Sequence, residues 1–221
     1  MRGFLVIVTY LASIAAALAA ARRDTARTLW REPAAWLALL ALLQHGAWLL
    51  RGLQPIGNVT LGLSDSASLM GLAIGAGGLF ALGAARFRGV AALVLGLAAL
   101  CASGTGLLPE AREVSEPGWP LAAHVLLAMA SAGMFAIAAV FVIVLSAQDA
   151  ALRRVRPQRW LALLPPVESL EHALFAVIAT GLAALTVAIL AGFLFVTDLF
   201  AQHLVHKTVL ALVAWRSEEH T

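Results

Sequence analysis

Charge is what this sequence has least of. Asp, Glu, Lys and Arg make up 12% of its 221 residues and hydrophobic residues 62%, where a soluble globular chain carries about 25% charged residues. Six stretches contain none of the four: 3–21, 34–50, 67–85, 89–108, 119–148 and 173–197. Crossing roughly 30 Å of hydrocarbon takes about 20 apolar residues. Five of the stretches are long enough and 34–50 is at the short end. Only a helix satisfies every backbone donor and acceptor inside lipid, so each reads as a transmembrane helix. A further apolar run from Thr208 stops at Trp215. The expected fold is an all-α polytopic helix bundle, six full helices plus a truncated seventh.

Other shortages narrow the chemistry. No carboxylate or lysine falls within the apolar stretches, which leaves no evident proton relay or ion-binding acid and makes a secondary transporter a poor fit. Cys101 is the only cysteine; an internal disulfide, a CxxC thiol carrier and covalent c-type haem attachment are excluded, and it reads as a small buried residue. No HExxH and no nucleophile–base pair appear, so an enzyme is not expected. No basic–aromatic pattern suggests nucleic acid.

What charge there is lies in the loops. Loop one (22–33) holds Arg22, Arg23, Arg27 and Arg31; loop three (86–88) holds Arg86 and Arg88; loop five (149–172) holds Arg153, Arg154, Arg156 and Arg159. Loops two, four and six hold only Arg51, Arg112 and Lys207, and loop four adds Glu110, Glu113 and Glu116. The positive-inside rule then places the odd loops in the cytoplasm and the N-terminus outside. The same bias, with only Arg2 ahead of the first stretch, runs opposite to that of a secretory signal.

Small residues punctuate the helices. Gly71 and Gly75 form a GxxxG pair in the third, best explained by close helix packing. Ser64, Asp65 or Ser66 is positioned to cap that helix, and Glu168 or Ser169, after Pro165–Pro166, the sixth. The polar side chains left within the bundle are chiefly histidines. His45 and His124 fall roughly 6–8 Å below the outer ends of helices two and five at 1.5 Å per residue, and His203 and His206 sit at the outer mouth of the seventh. Neutral imidazole is an axial ligand for haem iron. It also hydrogen-bonds neighbouring helices, since a polar side chain in lipid needs a partner. His172, at the start of helix six on the inner side, reads as interfacial.

The stretches WPLAAHVLLAMASAGMFAIAAVFVIVLSAQDAAL (119–152), PPVESLEHALFAVIATGLAALTVAILAGFLF (165–195), HKTVLALVAW (206–215) and LGLSDSASLM (61–70) resemble the cytochrome c assembly (CcsA-like) membrane proteins, most closely the short HemX-like or YpjD-like subgroup with eight helices. The resemblance implies a bacterial inner-membrane protein that binds or handles haem near its outer, periplasmic face, alongside other cytochrome-assembly proteins. It matches His124 to the family's first haem-ligating histidine. His206 or His45 stands in for the second, giving His124 and His206 as haem-iron ligands, with Arg51 near the propionates. Where the family has a tryptophan-rich WGxxWxWD loop, this chain reads FVTDLFAQHLV (195–205). That departure favours the alternative, a cofactor-free interaction or regulatory subunit of another inner-membrane complex. Family members continue past Trp215, and RSEEHT (216–221) resembles a translated sequencing adapter. The expectation is one transmembrane domain over 1–215, incomplete at its C-terminus, and a non-native tail over 216–221.

Overall fold

The computed structural model describes residues 2–23, 29–52, 58–60, 63–103, 113–115, 119–153 and 159–195, and positions 209, 210, 213, 215 and 216 of the C-terminal stretch. Six helices run α1 (Arg2–Arg23), α2 (Pro33–Gly52), α3 (Leu63–Leu82), α4 (Arg88–Ser103), α5 (Trp119–Leu152) and α6 (Val167–Phe195). All six are long and apolar enough to cross a membrane, and the chain is a multi-pass, all-α membrane protein. Loops two and four meet in a short antiparallel ladder of β1 (Asn58–Thr60) and β2 (Glu113–Ser115), with Val59 opposite Val114. This pairing ties together the two loops at one end of the bundle. We call that the even-loop end and the other, arginine-rich end the odd-loop end.

Helix boundaries follow local chemistry. Helix α3 starts at Leu63, so Ser64, Asp65 and Ser66 occupy its first turn, where Asp65 complements the positive end of the helix dipole. Likewise α6 starts at Val167, and the carbonyl of Pro166 accepts the Leu170 amide at 3.1 Å. Glu168 and Ser169 are therefore first-turn residues. Ser103, the last described residue of α4, donates its Oγ back to the Leu100 carbonyl at 2.7 Å.

Helices α1 to α4 pack together, with α4 against both α1 and α3; the α5–α6 hairpin joins them chiefly through α3. Tyr10, Ile74, Leu82, Leu95 and Leu170 are fully buried at these contacts. Without a hydrophobic drive between helices in lipid, close van der Waals contact must hold them, and glycine makes that contact. A Cβ at Gly71 would lie 2.8 Å from Cys101 Cβ, and one at Gly75 2.8 Å from both Leu42 Cδ2 and Tyr10 Oη. Gly133 brings α5 equally close to Ala73 of α3, at 2.9 Å. The GxxxG pair thus does what its spacing implies.

At the odd-loop end the structure departs from the loop-charge reading. Arg88 begins α4 and is buried: its Nη2 lies 2.8 Å from Glu32 Oε1, with side chains 2% and 5% exposed. The pair locks the start of α2 to the start of α4. Next to it, a Cβ on Gly89 would collide with the Leu163 carbonyl oxygen of the 3-10 turn Arg159–Leu163. Gln148 of α5 donates to the Pro165 carbonyl at 3.0 Å. Arg153, by contrast, is solvent-facing and paired with Asp149 at 3.0 Å.

Candidate functional site

Both described intramembrane histidines fall in the even-loop half, and the structure gives them different surroundings. His45, seven residues before the end of α2, is 0% exposed. Its Nε2 lies 2.7 Å from Ser68 Oγ of α3, and its Nδ1 3.3 Å from Tyr10 Oη of α1. The Tyr10 and His45 rings meet edge to face, 6.0 Å between centroids. Gly71 leaves room for the imidazole, since a Cβ there would lie 3.3 Å from Cε1. A neutral imidazole has one donor and one acceptor nitrogen, and two hydroxyls satisfy both. Nearby, Thr9 Oγ1 meets Gln44 Oε1 at 3.0 Å, a second polar tie between α1 and α2. In this arrangement His45 has no nitrogen left for an iron atom.

His124 sits on the other seam. It is five residues into α5 and only partly buried, and its Nδ1 lies 2.8 Å from the Ala188 carbonyl of α6. A carbonyl oxygen only accepts, so Nδ1 carries the ring proton and Nε2 keeps its lone pair. One heptad further along, Ser131 Oγ donates to the Gly181 carbonyl at 2.9 Å. The antiparallel helices are thus tied by two side-chain-to-carbonyl bonds spaced seven residues apart on each. Such a bond orients the ring and raises the basicity of the opposite nitrogen, as with metal-bound histidines generally.

The remaining expected residues divide by position. Arg51 falls in the last turn of α2, with its side chain outside the described residues. His203 and His206 lie outside them altogether. His172 is exposed on α6, 3.9 Å from Glu168. Half-buried Cys101 backs onto Gly71. Trp215 donates its indole N–H to Thr186 Oγ1 at 2.8 Å, which fixes this indole against the same half of α6 that carries Ala188. Among the described residues no three His, Cys, Asp or Glu side chains cluster as a metal site. His124 is one imidazole that could hold a metal there. The partners of both histidines went unforeseen. Nothing in the sequence ties Tyr10 and Ser68 to His45, whereas the heptad from His124 to Ser131 was there to be read.

The family model described as Cytochrome C assembly protein matches residues 36–217, running from early α2 past Trp215 and taking in both histidine sites. No curated relative and no solved structure matches the chain.

Proposed function

This chain belongs to the cytochrome c assembly protein family, and on that premise we propose that within cytochrome c biogenesis it holds haem at the even-loop end, where His124 would be an iron ligand. The observation that carries the reading is the Nδ1–Ala188 bond. It fixes the tautomer in which Nε2 keeps its lone pair, on a partly buried ring. Bound haem would supply the iron and its redox couple; the protein's part is to orient the imidazole and exclude water. His45 is assigned a packing role because both of its nitrogens are engaged. His206 is the proposed second ligand, and Arg51 the proposed partner of the propionates. In this reading the odd loops face the cytoplasm, the haem end faces the periplasm, and the protein makes and breaks no substrate bonds itself.

The test is the Soret band of protein purified with haem supplied. The expected result is a band in wild type that His124→Ala abolishes or shifts and His45→Phe preserves. No band in wild type rejects haem binding, and an unchanged band in His124→Ala removes His124 as a ligand. One observation favours a second reading, a cofactor-free interaction subunit: His45, the other described intramembrane histidine, is sealed by hydroxyls. A stoichiometric membrane partner isolated in mild detergent, with no haem, would select it.

A further inference from the structure

A cavity of about 530 Å³ lies between α3, α5 and α6 in the odd-loop half, away from both histidines; Ala76, Gly77, Phe87, Ile137, Ala173 and Ala176 are among its walls. Its lining is almost wholly apolar, and Phe80 on its rim is 85% exposed. Arg86 stands at its odd-loop end. Arg86 lies over the Phe87 ring, 5.9 Å from the centroid, and its Nη1 reaches Ser169 Oγ at 3.4 Å. Ser169 is one turn before Ala173 and on the same face of α6. At 100° per residue Glu171 falls about 160° round the helix from Ser169; Glu168 lies 3.9 Å from His172, and the Asp149 carboxylate is taken by Arg153. Arg86 and Ser169 both lie outside the haem reading.

We propose that this cavity is a binding site for one anionic phospholipid, an acyl chain filling the apolar cleft and the phosphate meeting Arg86 and Ser169. Ser169 Oγ accepts from Arg86 and keeps its own proton to donate to a phosphate oxygen. The positive end of the α6 dipole lies at the same point. Charge and polarity choose the occupant: apolar walls complement an acyl chain, and Arg86 with Ser169 at the odd-loop end complements a phosphate. Trp215 is held elsewhere, by its bond to Thr186 beyond the last lining residue of α6, Thr180.

Native mass spectrometry of the detergent-purified chain, titrated with phosphatidylglycerol or phosphatidylcholine, tests this. Wild type should retain one phosphatidylglycerol in preference to phosphatidylcholine. Arg86→Gln should weaken retention about fivefold, the worth of one arginine near an anionic lipid surface, and Ala176→Trp, which fills the cleft from an exposed position, should weaken binding of both lipids. Arg153→Gln, at the same end but already paired, should change nothing. Equal retention of the two lipids by wild type, equal loss in Arg86→Gln and Arg153→Gln, unchanged retention in Ala176→Trp, or a co-purifying protein displaced by Ala176→Trp would each overturn the proposal. Circular dichroism melting of each variant separates lost binding from lost fold.

Discussion

Replacing His45 with Phe separates packing from ligation. The ring is fully buried and bridges Tyr10 and Ser68. Phenylalanine fills nearly the same space, so the cavity term is small and the cost comes from the hydroxyls it strands. Ser68 can turn its proton toward the carbonyl one turn back in α3, as helical serines do. Tyr10 has less recourse, because Gly75 closes over its hydroxyl. Interhelical hydrogen bonds in membranes are worth about 0.6–1.7 kcal/mol each; two of them give a loss of about 1–3 kcal/mol. Unfolding in mixed detergent micelles, followed by circular dichroism, measures that loss. The double variant His45→Phe/Tyr10→Phe should recover part of it, since the stranded phenol goes with the histidine. The Soret band per folded molecule should match wild type. A His45→Phe protein of wild-type stability that has lost its haem spectrum would refute the reasoning and make His45 a ligand.

Three further outcomes follow from the same structure. Glu32→Gln should cost about 3–5 kcal/mol by leaving a buried guanidinium without its counter-charge, and Glu32→Met/Arg88→Met should regain most of that in the same unfolding assay. Gly89→Ala should destabilise by about 1–3 kcal/mol, the range for overpacking, despite alanine's better helix propensity, because its methyl meets the Leu163 backbone carbonyl and not a movable side chain. In a Cys101→Ala background, an impermeant maleimide applied to intact cells should label Glu113→Cys and spare Arg154→Cys; the reverse pattern would invert the assigned topology and move both histidines to the cytoplasmic side.

Much of the fold was legible because lipid leaves a chain few choices. Uncharged runs of about 20 residues fixed the number and order of helices, and the Gly71–Gly75 spacing announced a close contact. Two of the misreadings needed a tertiary partner, and one a local boundary. Arg88 looked like an ordinary loop charge until Glu32, 56 positions earlier, was brought against it. Glu168 and Ser169 had the chemistry of caps, but Pro166 supplied the first helical carbonyl and moved both inside the helix. The β1–β2 ladder has three residues on each side and joins loops 53 positions apart at Thr60 and Glu113, too short for any alternation of apolar and polar residues to announce it.

The two histidines carry the same lesson into the site. Counted from their helix ends, His45 and His124 sit at nearly the same depth, so position along the chain could not rank them. Their neighbours separate them. Hydroxyls can both give and take a proton, so Tyr10 and Ser68 can satisfy both imidazole nitrogens and seal His45 inside the α1–α4 cluster. A main-chain carbonyl can only accept, so Ala188 satisfies one nitrogen and leaves the other with a lone pair. The difference arises from α6 presenting backbone to α5 along a seam kept narrow by Gly181, where a Cβ would lie 3.1 Å from Met134 Cβ. Widening that seam with Gly181→Leu should loosen the Ala188 bond at its far end. His124 would then be free to take either tautomer, and any haem affinity resting on a fixed Nε2 donor should fall while His45 and its partners stay in place.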